Sequence, residues 1–400
     1  MIKVAVPQLS WHNPRALELA FPDTWEVETH NIAGHNRPPL TAEQIKAALS
    51  HPIGMPPIRE LARGKKQVVI IFDDLTRSTR VAQIAPVVLE ELAAAGIPER
   101  NIRFIAGVGT HGPMTRPDLV KKLGEDVLRR FAVYNHNAFG DCVDVGTTSR
   151  GTKVMVNAEV MNCDLKIAIG ATSPHGMTTF SGGGKNILPA VCARETIAAN
   201  HAMKATPEER KDYDKNSLRL DIEEAARLAG LDVLIECLLN AWGETVALFA
   251  GTLTDAHAAA IKEAKKHYLA TPAKDKDIVV SNVYIKAPEW GTGSKGAVSV
   301  RKGGDFVVLA NSPDGQVNHY LMAGWGSTLR GGELGGGGPA HVGRIFLYNE
   351  YPVVGPFFHA TKLQQMTSWN TILRALQEVH GGKAQVAVYP SADIMYLDGK

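Results

Sequence analysis

The sequence predicts an α/β protein: two α/β domains with largely parallel sheets, and an active site in the cleft between them. Three observations predict it. Continuous apolar, β-branched runs alternate with amphipathic helical patterns, as in a parallel sheet covered on both faces. The chain has 400 residues, 44% of them hydrophobic, enough for two ordinary cores. Titratable side chains recur just after the apolar runs, at the edge where open α/β sheets bind ligands.

The elements follow in order. MIKVAVPQLSWHNP reads as a short strand and a turn. Residues 68–72 (VVIIF) run into DDLTRSTR, and VAQIAPVVLEELAAAG follows as an amphipathic helix stopped by Gly96. Residues 102–108 (IRFIAGV) run into GTHGPMTR and then a helical PDLVKKLGEDVLRRF, with Pro117 in its first turn. Residues 165–170 (LKIAIG) run into ATSPHG, and Pro189 opens a segment with the helical ARETIAANHAMK. Residues 231–249 predict a hairpin, and TDAHAAAIKEAKKHYLA a helix with Thr254 as N-cap.

Residues 271–276 read as a linker. Residues 1–272 are therefore expected to form an N-terminal cofactor-binding catalytic domain, and residues 273–400 a C-terminal α/β domain. In the latter, DIVVSNVY, FVVLA, RIFLYN and QVAVY read as strands, and TSWNTILRALQEVH as the helix before the last of them. GGELGGGGPAH, residues 331–341, is too Gly-rich for regular structure and reads as a loop.

Composition narrows the function. A formal net charge of +2 gives no electrostatic case for nucleic acid or an anionic membrane surface. No run approaches the roughly twenty apolar residues of a membrane span, and the N-terminus lacks a signal-peptide core. The four cysteines, Cys142, Cys163, Cys192 and Cys237, form no CxxC pair and read as reduced thiols. A cytoplasmic protein is expected.

SPHGMTTFSGGGKNILPAVCARETIAANH carries the chemistry. Lys185 follows His175 by ten residues and precedes His201 by sixteen. An imidazole moves protons near neutral pH or binds a soft divalent metal. A lysine amine between a glycine turn and a helix can form a covalent link to a ligand. The set points to a tethered cofactor with a metal. SGGGKN is not a P-loop, because Thr179 stands where the first glycine belongs and Asn186 follows the lysine. GVGTHG resembles a dinucleotide fingerprint only superficially: it has the glycine spacing, but His111 brings a bulky side chain into the turn where the backbone would meet a pyrophosphate. The backbone amides of Ser181, Gly182, Gly183 and Gly184 could still cradle one phosphate. His111 and His175 follow two different strands, and two acid–base groups suit inversion of a stereocentre.

These motifs in this order (DDLTR, GTHGPMT, SPHG, SGGGK and NHAMK) resemble the lactate racemase family, nickel-pincer-nucleotide-dependent 2-hydroxyacid racemases and epimerases. The resemblance implies that Lys185 carries the cofactor, the pyridinium-3,5-bisthiocarboxylic acid mononucleotide with Ni(II), through a thioamide. It implies His201 as the nickel ligand in a square-planar set, and His111 and His175 as the catalytic acid–base pair. Asp74 and Arg77 would lie in the cofactor and substrate pocket, with Arg77 gripping a phosphate or carboxylate. Lys295 in GTGSKGA would orient the substrate, with Thr292 where lactate racemases place glutamine. The implied reaction moves the α-hydride to the cofactor and back while the histidines handle the hydroxyl proton. Implied partners are a small-molecule 2-hydroxy acid and the enzymes that build the cofactor.

Gly184, Thr292, Gly112 and Ser78 depart from the residues common in that family, so the resemblance leaves the particular acid open, with a larger or more polar one, such as a sugar acid, among the candidates. Two rival readings use the same residues. Lys185 could form a Schiff base in a pyridoxal-phosphate or lysine–carbonyl isomerase, which leaves His201 and the histidine pair idle. A non-catalytic nickel-cofactor carrier would need no pair of bases.

Overall fold

The computed structural model describes residues 1–203, 205–317, 321, 339–351 and 363–397. The chain opens with an antiparallel hairpin, β1 (Ile2–Gln8) and β2 (Arg15–Phe21), followed by a short β3 (Glu26–Thr29). A first sheet begins with β4 (Val68–Asp73), β5 (Ile102–Gly107) and β6 (Ala132–Asn135). After a hairpin of β7 (Cys142–Thr147) and β8 (Lys153–Asn157), it gains β9 (Leu165–Ala171). A two-residue pair, β10 (Pro174–His175) and β11 (Thr179–Phe180), precedes its last strands, β12 (Val233–Leu239) and β13 (Thr245–Gly251).

The order is β13-β12-β9-β4-β5-β6, parallel except where β13 runs against β12. Val68, Val69, Ile70, Ile71 and Phe72 are all fully buried, which is why this strand is a continuous apolar run. The sheet grows from β4 to one side through β5 and β6, and to the other through β9 and β12. The loops leaving β4 and β9 therefore part at a topological switch point, where a crevice opens.

The second sheet holds β14 (Lys276–Asn282), β15 (Val300–Leu309), β16 (Arg344–Tyr348), β17 (Leu363–Met366) and β18 (Gln385–Tyr389). Its order, β17-β16-β15-β14-β18-β3, is parallel throughout. The switch point here lies between β14 and β18.

Its edge strand β3 comes from the start of the chain. Val6, Leu19, Phe21 and Trp25 are buried with Ile278, Val307, Phe346 and Val388 in one core. The expected division at residue 272 places these first residues with the other sheet. EVET is a mostly exposed edge strand with no apolar run, so its sequence carries no sign of its neighbours.

Other expectations shift locally. The helix expected over 117–131 is broken into Arg116–Leu123 and Glu125–Arg130 at Gly124, whose φ of +83° no helix accommodates. The N-cap of helix Leu253–His267 is Thr252, not Thr254, because the Thr252 hydroxyl accepts from the Asp255 amide. Pro189 does not open the helix bearing His201; it runs from Arg194 to His201 behind Ala193. Most of the Gly-rich run 331–341 lies outside the described residues, as does Lys204. Among the described residues, no helix is long and apolar enough to cross a membrane.

Candidate active site

The carboxyl ends of the two sheets meet over a cavity of about 240 Å³. The loop after β4 contributes Asp74 and Arg77, that after β5 His111, and that after β9 His175, Ser181, Gly182 and Lys185. His201 closes one wall from the end of its helix, and Glu289 enters from the segment after β14. Eight of the candidates, His111, His175, Lys185, His201, Asp74, Arg77, Ser181 and Gly182, thus share one cavity.

Asp74 organises the β4 loop. Its Oδ1 accepts from the Thr76 amide at 2.9 Å and from the Thr76 hydroxyl, and its Oδ2 lies 2.6 Å from His111 Nδ1. Burial favours the neutral acid, but the adjacent His111 overrides it and holds the carboxyl well below the usual range. The same pairing raises His111 against the desolvation that would lower it. Beneath the loop, the fully buried Lys122 pairs with Asp73 at 2.6 Å and donates to the carbonyls of Arg77 and Thr79 at 2.7 and 3.2 Å.

His175 is in the opposite electrostatic state. Burial, then the nearby charges of Lys185, Lys286, Arg77 and Lys295, push it well below the usual imidazole range. The amides of Met177 and Thr178 donate to its Nδ1 at 3.2 and 3.4 Å, long bonds that steady the ring.

Lys185 projects from a turn that only glycines can make. Gly182 and Gly183 have φ of +81° and +60°, and a Cβ on Gly184 would lie 2.7 Å from the Ile222 carbonyl oxygen. Three of the four amides expected to cradle a phosphate are engaged within the protein. The Gly183 amide donates to Glu236, the Gly184 amide to Glu223 at 3.2 Å, and the Ser181 amide to the Ser173 carbonyl at 2.8 Å. Ser181 and Gly182 line the cavity, whereas the buried Gly183 does not.

A buried network fixes this turn from below. Arg219 donates to the Gly182 carbonyl at 2.8 Å and pairs with Glu223, and Glu236 Oε2 lies 2.6 Å from His257 Nδ1. Burial, then the charges of Arg77 and Arg219, lower the Lys185 amine to about 7.

Thr292 and Lys295 do not line this cavity. Thr292 Oγ1 donates to the Glu289 carbonyl at 2.8 Å. Lys295 Nζ donates to the carbonyls of Pro174, Asp393 and Met395, and it borders an adjoining cavity of about 690 Å³ that shares His175.

Three residues escaped sequence reasoning: Glu289, Lys286 and Lys122. Glu289 Oε2 accepts from Arg77 Nη1 at 2.9 Å, joining the loops of the two sheets, and Lys286 Nζ donates to the Pro174 carbonyl at 3.3 Å. Glu289 and Lys286 follow β14 as Asp74 follows β4, so the strand-end rule applied to the second sheet finds both. Lys122 gives no such signal, because a lysine on a helix normally faces water.

The family model described as the lactate racemase N-terminal domain matches residues 13–212. A lactate racemase of Lactiplantibacillus plantarum is 30% identical over 315 residues, 73% of this chain and 73% of that protein. One of Thermoanaerobacterium thermosaccharolyticum is 28% identical over 298 residues, 71% of this chain and 69% of that protein. The lactate racemase apoprotein structure from Thermoanaerobacterium thermosaccharolyticum aligns over 99% of this chain and 100% of its own, with a TM-score of 0.74 at 19% identity. A Thermotoga maritima protein aligns over 90% and 99%, with a TM-score of 0.68 at 18% identity. At those identities the structural likeness concerns the fold.

Proposed function

The chain belongs to the lactate racemase family, and from that premise we propose that it is a racemase or epimerase of 2-hydroxy acids. In this reading it works with a nickel-pincer nucleotide tethered to Lys185. The observation that supports it best is a pair of imidazoles on one cavity whose surroundings push their proton affinities apart.

The residues fit the cofactor. A Lys185 amine near 7 is substantially uncharged at neutral pH, as a nucleophile requires. His201 borders the same space, and no group of three or more metal-ligating side chains occurs among the described residues. A metal at His201 would therefore take its remaining donors from the cofactor. Ser181 and Gly182 would wall the ring, and Arg77 would face a phosphate or carboxylate. When bound, the cofactor supplies a hydride acceptor that the side chains lack.

The side chains handle the proton. His111, charged beside Asp74, holds one on Nε2, the nitrogen turned away from the carboxylate. His175, neutral, carries its lone pair on Nδ1, where an incoming hydroxyl displaces only two long amide bonds. For one enantiomer His175 takes the hydroxyl proton and His111 returns one; for the other the roles reverse. Lys286 and Lys295, by holding the Pro174 carbonyl, steady the His175 loop from the second sheet. Two units follow from this reading: a cofactor unit on the first sheet, and a second unit that includes β1–β3.

The test is a single C2-deuterated enantiomer given to cofactor-loaded protein. A racemic product that keeps its deuterium is expected; loss of the label to solvent, or no inversion of any 2-hydroxy acid, would contradict the reading.

A further inference from the structure

Among the described residues the cavity is lined by three carboxylates, and two are fully engaged. Asp73 pairs with Lys122 and accepts from Thr79, and Asp74 is held by Thr76 and His111. Glu289 differs. Its Oε2 accepts from Arg77 Nη1 at 2.9 Å, but Oε1 accepts no hydrogen bond among the described residues. Arg77, for its part, uses a single corner. Nη1 donates to Glu289 and to the carbonyl and hydroxyl of Thr76, each at 2.9 Å. Its Nε and Nη2 make no hydrogen bond among the described residues, so they offer a two-pronged edge for a ligand carboxylate.

That arrangement sets the chemistry of what lies next to the carboxylate. Burial works to neutralise Glu289, but Arg77, His111 and Lys286 outweigh it and keep the group ionised. An ionised carboxylate only accepts hydrogen bonds. A second ligand carboxylate would be repelled from Oε1, and a methyl group would desolvate it without replacing its water. A hydroxyl satisfies it.

We propose that Glu289 is a specificity-determining residue that accepts from a ligand hydroxyl beyond C2, selecting a polyhydroxylated monocarboxylate of the sugar-acid class. This rests on the reading of the chain as a 2-hydroxy acid isomerase. Arg77 takes the ligand carboxylate on its open edge and holds Glu289 on its other corner, so one guanidinium spaces the acid group from the selecting carboxylate.

The experiment is equilibrium binding to the cofactor-free chain by calorimetry, with gluconate, lactate and malate as probes. Gluconate is expected to bind roughly ten-fold or more tightly than lactate or malate. Glu289→Ala should collapse that ratio, and Glu289→Gln, whose amide oxygen still accepts, should keep part of it. Thermal unfolding of both variants checks that they fold. Equal affinity for gluconate and lactate, no measurable gluconate binding, or a ratio unchanged in Glu289→Ala would each overturn the inference. Its failure is separable from that of the proposed activity. Cofactor-loaded protein that inverts lactate as well as gluconate keeps the activity and sinks the role of Glu289. Protein that inverts neither, yet shows the binding ratio, does the reverse.

Discussion

His111 Nδ1 lies 2.6 Å from Asp74 Oδ2, so the imidazole that faces the cavity carries its own counter-charge. The carboxyl is held below its usual 3.8 and the imidazole above its usual 6.5. Both are charged between those values. The pair's stabilisation is lost as pH falls through the depressed carboxyl value, or rises through the raised imidazole value. Asp74→Asn keeps the shape and removes the charge. Activity should fall by roughly 10²–10⁴-fold, and NMR should show His111 titrating at lower pH. An unshifted His111 would refute the coupling.

The two histidines also set a pH window. For the enantiomer whose hydroxyl proton His175 takes, activity requires His175 without its proton and His111 with one. The rate should rise as pH passes the depressed value of His175, below 6.5, and fall as it passes the raised value of His111, above 6.5. The measurement is the pH dependence of kcat/KM with tethered cofactor. A profile flat across both limbs would contradict the assignment.

Lys185 should react as an unusually acidic ammonium. In cofactor-free protein its labelling by an acylating reagent should be half-maximal near pH 7, where an ordinary lysine needs pH near 10.5. Below that pH the amine is protonated and inert. Because charging it in the folded state is costly, Lys185→Met should raise the melting temperature, most of all at acid pH. Half-maximal labelling near 10.5 would show that the amine is not desolvated.

The turn beneath Lys185 should tolerate no side chain. Gly184→Ala places a Cβ 2.7 Å from the Ile222 carbonyl oxygen, which the helix backbone holds in place. A loss of roughly 1–3 kcal/mol in denaturant unfolding is expected. A variant as stable as the parent would mean that the turn moves freely against that helix.

Much of this site was legible because its residues obey the strand-end rule. Asp74, Arg77, His111 and His175 follow long buried strands whose apolar runs are continuous, so their common edge could be read from the sequence. The glycine turn was legible as a turn but not in its orientation. Its amides face Glu236 and Glu223, which lie about fifty and forty residues downstream in unrelated elements. Distant partners leave no local pattern. β3 was missed for the converse reason: an exposed four-residue edge strand has no apolar run to reveal it. Lys295 was expected at the substrate, yet its amine is held by three carbonyls beside an adjoining cavity, an arrangement that depends on how the loops after β14 and β18 fold together.

A cofactor tethered at Lys185 and a metal at His201 would both be read by intact mass and nickel analysis. The protein would be co-expressed with the enzymes that build the pincer nucleotide, as wild type and as Lys185→Ala. A nucleotide-sized adduct with about one nickel per chain, lost in the variant, is the expected result. An unmodified, nickel-free wild type, from cells in which a control racemase is loaded, would contradict it.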